Sequence, residues 1–228
     1  MGGDPGGTVY LIGGCLAFAE SSAVPDLGSR LVNSRRLGVD QWRRAQFDSQ
    51  PDGSAGDLLL RWGLLDAAEW QALLRSAALD ALLALAIQLT QTPAAAGTSF
   101  IPRQAHPVGS VRLDTGWAWR HAWQEAERLA RYDVGPGARL RLCGRDHLVF
   151  SAEAAAVLGQ IDGRATIREL AWRNGLALFG VMDWAARLIQ DGVCAIAARE
   201  GREGAGPRWA RPDPDLLRQV LTELRQLS

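Results

Sequence analysis

A segment of 28 residues occurs twice in tandem, and this duplication constrains the fold more than any other feature of the chain. Leu27-Gly28-Ser29-Arg30-Leu31, followed by Leu37, Gly38 and Trp42, is matched by Ala55-Gly56-Asp57-Leu58-Leu59, followed by Leu65, Asp66 and Trp70. Gly28 maps to Gly56, Leu31 to Leu59, Leu37 to Leu65 and Trp42 to Trp70. Each copy reads as a short helix, a turn and a second helix. Such a unit is expected to bury its apolar side on its twin as a pseudo-symmetric pair. Asp66 and Glu69 form a D-x-x-E capping box ahead of a long helix. Trp70, Leu73, Leu74, Ala77, Ala78, Ala81, Leu82 and Leu85 continue that helix at the right spacing. Trp42 and Trp70 read as core. The apolar run 77–89, interrupted by Asp80 and Gln88, falls short of the roughly 20 residues that span a bilayer, so a buried helix is expected.

Before the repeat, the apolar runs 8–12 and 15–19 flank Gly13-Gly14, the signature of a tight β-hairpin. A lone hairpin is marginal and needs covering. After the repeat, 99–101 reads as a third strand. Residues 116–132 read as a helix on which Trp119, Trp123 and Ala126 share a face and Trp117 does not. Gly135-Pro136-Gly137 marks a domain boundary. Beyond it, 140–142 and 148–150 read as short strands, and Ser151 caps a helix bearing Ala154, Val157, Leu158 and Ile161. Asp162-Gly163 turns the chain. Thr166 and Glu169 make a second capping box, and Asn174-Gly175 ends that helix. Residues 176–190 form a third helix, and 193–196 a strand. Three helices followed by a strand is the order of a winged helix-turn-helix. Residues 199–214 read as a wing loop or linker. In the tail 215–228, Leu216, Leu217, Val220, Leu221, Leu224 and Leu227 form one helical stripe.

The expected fold is therefore α+β and helix-rich. A small β-hairpin and sheet with the helical repeat (27–89) fill a first domain, 1–134. A winged-helix-like domain follows at 138–198. Two such units suit 228 residues at roughly 100–200 residues per domain.

The 25 basic residues, all Arg, balance 25 Asp and Glu. That neutrality argues against coating nucleic acid or anionic lipid by bulk charge, though not against a local basic face. The absence of Lys excludes a lysine Schiff base or a P-loop lysine. Cys15, Cys143 and Cys194 are widely spaced, and His106, His121 and His147 lack metal-ligand spacing. Reduced thiols in a cytoplasmic protein without a metal or cofactor are expected. Residues 1–7 lack the basic region of a signal peptide.

The segment TVYLIGGCLAFAE at 8–20 resembles the hairpin of the PatA N-terminal (PATAN) domain of bacterial regulators. Residues 27–31 and 99–101 also suit that domain. In a subset of these proteins a winged-helix-like domain follows, as 140–196 does here. The resemblance implies a regulatory protein that keeps company with Roadblock-family proteins and small Ras-like GTPases. The family usually places a helix and a strand before the hairpin, and the residues before 8 are too few for both. The first domain is then expected to lack an element or to borrow one from a partner. The 28-residue repeat also resembles the N-terminal module of type II secretion and type IV pilus ATPases. Some of those modules bind cyclic di-GMP through tandem R-L-G-x-x-L motifs. Here Asp26 and Ser54-Ala55 stand where that arginine would be, so the module is expected without its ligand.

No G-x-S-x-G, H-E-x-x-H, P-loop or dinucleotide fingerprint is present, and a non-enzymatic role is expected. Ser151 lies near His147 but reads better as a cap. Association with a partner protein or a second copy of the chain, through apolar and aromatic surface, is the favoured reading. Phe179, Trp184 and Arg187 on the third helix, with Leu217, Leu221 and Leu224 of the tail, are its candidate residues, and the hairpin edge 8–12 is a further one. The competing reading is a DNA-binding regulator in which Arg164, Arg168, Arg173, Arg202 and Arg208 touch phosphates, with Arg199 and Arg211 nearby. The third helix carries few side chains suited to base edges, which favours a protein partner. Cyclic-dinucleotide binding is a third reading.

Overall fold

The computed structural model describes residues 6–49, 54–91, 109–143, 155 and 157–197. Strands β1 (Gly7–Ile12) and β2 (Cys15–Ser21) form the hairpin, with Gly13 and Gly14 at φ +55° and +72°. These left-handed angles match the twist of the flanking strands. The register slips once, between Tyr10 and Leu11. Leu16, Ala17, Phe18 and Ala19 are all buried. Four consecutive buried residues mean that both faces of β2 are covered, which is why this strand shows no polar alternation. A two-residue strand, β3 (Leu113–Asp114), pairs antiparallel with the other edge of β2 and completes the order β1-β2-β3. The third strand expected at 99–101 lies outside the described residues.

The repeat folds as two helix pairs, α1 (Leu27–Asn33) with α2 (Val39–Asp48), and α3 (Ala55–Arg61) with α4 (Ala67–Gln91). The correspondence extends to the cap positions and to the glycine–tryptophan contacts. Asp26 caps α1 by accepting from Ser29 N, and Ser54 caps α3 by accepting from Asp57 N. A Cβ on Gly28 would run into the Trp42 indole, and one on Gly56 into the Trp70 indole. Each glycine is thus the floor on which its own tryptophan lies. Trp70 is 3% exposed, whereas Trp42 is half-buried. Asp66 accepts from Glu69 N at 2.7 Å, as the capping motif requires. The Glu69 carboxylate is held through both oxygens by Arg36, from the turn of the first copy. Arg36 keeps the Glu69 carboxyl below the ordinary range, and the pair joins the two copies.

Helix α4 is long and apolar enough to cross a membrane by length and composition, yet more than half of that stretch is buried within the protein. It lies along the hairpin and against α5 (Thr115–Ala130), and serves as the central core helix. Asp114 caps α5 by accepting from Trp117 N at 2.6 Å, and Thr115 Oγ1 donates to Gly14 O, tying the helix to the hairpin turn. Trp119, Trp123 and Ala126 face inward, and Trp117 does not.

The remaining elements are β4 (Leu140–Leu142), α6 (Ile167–Asn174), α7 (Leu178–Gln190) and β5 (Cys194–Ile196). The two strands pair antiparallel, Leu140 with Ile196 and Leu142 with Cys194. Helical residues at 155, 157 and 158 precede α6. The second capping box is complete: Thr166 N donates to Glu169 Oε2, and Glu169 N to Thr166 Oγ1. Gly175 ends α6 at φ +63°. The strand at 148–150 and the Ser151 cap fall outside the described residues, as do 198–228. Apolar residues from Leu16 to Cys194 form one buried cluster. The fold is a helix-rich α+β arrangement with small antiparallel sheets.

Candidate functional site

Among the described residues, no three His, Cys, Asp or Glu side chains are grouped so as to hold a metal ion. His106, His147 and Ser151 lie outside those residues. The conspicuous chemistry is instead a run of stacked rings and guanidinium groups on the surface, and a buried ion pair beneath it.

The run begins on α4 and ends on α7. Arg75 lies 5.6 Å above the ring of Trp117, which is 39% exposed. Trp117 stacks on His121 one helical turn later, with centroids 5.2 Å apart and planes 8° from parallel. The His121 and Phe179 rings meet in a T-shaped pair with centroids 6.5 Å apart, and Arg128 lies 6.0 Å from the same phenyl ring. The spacing 117, 121, 125, 128 is the outer stripe of α5, so the face results from that helix lying between α4 and α7. Arg128 donates to Glu125 and to Asp183 of α7, at 2.7 and 2.6 Å. Aromatic rings held by cations present large contact area with little rotamer freedom to lose, the composition of protein-binding hot spots.

Of the residues chosen from sequence, Phe179 belongs to this face. Trp184, like Phe179, packs half-buried against the core. Arg187 is exposed and paired to Asp183 at 2.9 Å, so its charge is shared with α7 itself. Leu217, Leu221 and Leu224 lie outside the described residues, as do Arg202 and Arg208. Arg164, Arg168 and Arg173 are all exposed around α6. Sequence reading missed Trp117, although its solitary position on α5 was the available signal.

It also missed the ion pair. Arg30 and Asp80 are each 2% exposed. Arg30 Nη2 donates to Asp80 Oδ2 at 2.5 Å, Nη1 to Ser76 Oγ at 3.2 Å, and Nε to Pro25 O at 3.0 Å. The same carboxylate accepts Leu178 N through Oδ2 at 2.6 Å and Phe179 N through Oδ1 at 2.9 Å. These are the first amides of α7, whose own cap residue, Ala177, has no side-chain acceptor. Burial pushes the Asp80 carboxyl above the ordinary range, against the pull of Arg30 and the two amides. Removing one partner of a buried pair leaves an uncompensated charge, at a cost of about 3–5 kcal/mol.

Compared with known proteins, the chain matches no family model, no curated protein and no solved structure.

Proposed function

We propose that this chain is a cytoplasmic regulatory or adaptor protein that works by binding another protein and performs no chemistry of its own. The observation that carries this reading is the face on which exposed Arg75 and Trp117 adjoin half-buried His121 and Phe179, which draws on three helices and is anchored by Arg128. Trp and Arg are the residue types that dominate binding energy at protein interfaces. A Roadblock-family protein or a small GTPase is the partner class that the hairpin resemblance suggests.

The winged-helix reading rests on the order of β4, α6, α7 and β5. A protein that reads DNA this way would insert α7 into the major groove. In this chain Leu178, Val181, Met182, Ala185, Ala186 and Leu188 of α7 are buried. Its Asp183 is committed to Arg128 and Arg187. Little of the helix remains to meet base edges, which favours a protein partner over DNA.

The test mixes the full chain with a Roadblock-family protein from its own host and measures association. Trp117→Ala should weaken binding at least about tenfold, as truncating a hot spot does. Phe47→Ser, at an 83% exposed site on α2, should leave it unchanged. Equal binding by Trp117→Ala would remove the assignment of this face. Steeply salt-dependent binding to random duplex DNA, with no protein bound, would replace the reading with the transcriptional one.

A further inference from the structure

We propose that Asp80 acts as a latch: a single carboxylate on α4 caps α7 across the chain, so that the seating of α6 and α7 on the repeat turns on a buried charge as well as on apolar fit. The inference goes beyond the association reading and does not depend on which partner binds.

The first four amides of a helix have no intrahelical acceptor. In α6 the problem is solved locally by Thr166 and Glu169. In α7 it is not, because Ala177 occupies the cap position and Leu178 is buried. Both acceptor atoms come instead from Asp80, 98 and 99 residues earlier in the chain. Asp80 is itself held by Arg30 of α1, which Pro25 and Ser76 orient. Charge-assisted bonds of this kind are stronger than neutral ones, and their removal strands both a helix end and a guanidinium.

The rest of the junction is built around the same point. Asn33 Nδ2, at the end of α1, donates to Trp172 O of α6 at 2.7 Å. Gly175 closes against the main chain of Arg30, Asn33 and Ser34. Phe179, whose amide Asp80 binds, carries the ring that meets His121. Release of Asp80 would therefore free the end of α7 and detach Phe179 from α5 in one motion.

The experiment uses amide exchange and NMR on the full chain. In Asp80→Asn the Leu178 and Phe179 amides should exchange at least about tenfold faster relative to Leu82 in α4. The ring-current shift that Phe179 imposes on His121 should collapse. Adding Ala177→Asp gives α7 a cap of its own. Protection at 179, an amide within reach of a cap side chain at 177, should then return while the His121 shift does not. A native His121 shift in Asp80→Asn, or its recovery with Ala177→Asp, would overturn the latch, since Asp80 would then serve the helix end alone. Native-state exchange of the unmodified protein gives a second measurement that needs no variant. The α6 and α7 amides should open together at lower denaturant than those of α4, and exchange only by global unfolding would equally refute the idea.

Discussion

Arg35 and Gly63 occupy the same left-handed position in the two copies of the repeat, at φ +60° and +65°. Each follows a short helix, and each donates its amide to the residue three before it, Val32 O and Leu60 O. A side chain in this conformation costs about 1–2 kcal/mol, whereas glycine adopts it freely. Exchanging the residues should therefore move stability in opposite directions. Arg35→Gly should raise stability by about 0.5–1 kcal/mol, after allowing for glycine's extra freedom in the unfolded chain. Gly63→Ala should lower it by about 1 kcal/mol. Chemical denaturation measures both, and a destabilised Arg35→Gly would contradict the argument.

The two glycine–tryptophan contacts should differ in tolerance. Gly56→Ala drives a methyl into Trp70, which is enclosed, and should cost about 1–3 kcal/mol as overpacking does. Gly28→Ala meets Trp42, which is half-buried and has solvent to swing into. Its cost should be the smaller of the two in the same assay.

The cysteines should separate by reactivity. Burial pushes the Cys194 thiol up to about 11, with the neighbouring Cys143 adding to the effect. Near pH 8 its thiolate fraction is about 100-fold below that of an ordinary thiol. Iodoacetamide should label exposed Cys143 first and Cys194 last, as read by peptide mass. Early labelling of Cys194 would mean that β5 is not buried in solution.

Acid should weaken the C-terminal unit. Backbone and hydroxyl bonds from Thr166 hold the Glu169 carboxyl below its usual range, and the Ala165 and Arg164 amides do the same to Asp162. A carboxyl lowered on folding contributes stability that is complete above its ordinary value and is lost as pH falls through the folded one. Unfolding midpoints should therefore decline below about pH 4.5. Glu169→Gln should start lower at neutral pH and decline less steeply. An unchanged slope in that variant would remove Glu169 from the account.

Local chemistry explains what was legible beforehand. Gly13-Gly14, Thr166-x-x-Glu169 and Asn174-Gly175 act within a few residues, and each sits where its pattern indicated. The period of 28 was readable because it repeats both a contact and a cap. The inward turn of Trp119 and Trp123, and the outward turn of Trp117, followed from helical geometry alone. Asp80 was hidden because its partners lie 50, 98 and 99 residues away. The faint signals were a carboxylate inside the most apolar helix and an alanine where α7 needed an acceptor. Strand β3 escaped because two residues carry no alternation to read.

At Gly175 main chain meets main chain at the end of α1, beside the bond from the Asn33 side chain to Trp172 O. A seam of that sort leaves mutation nothing to adjust. Most interfaces can drift by exchanging one side chain for another of similar bulk, but any substituent here wedges the two backbones apart. Position 175 therefore offers only two outcomes, closure or separation, and its neighbours along the chain are free to vary only so far as they leave that closure intact.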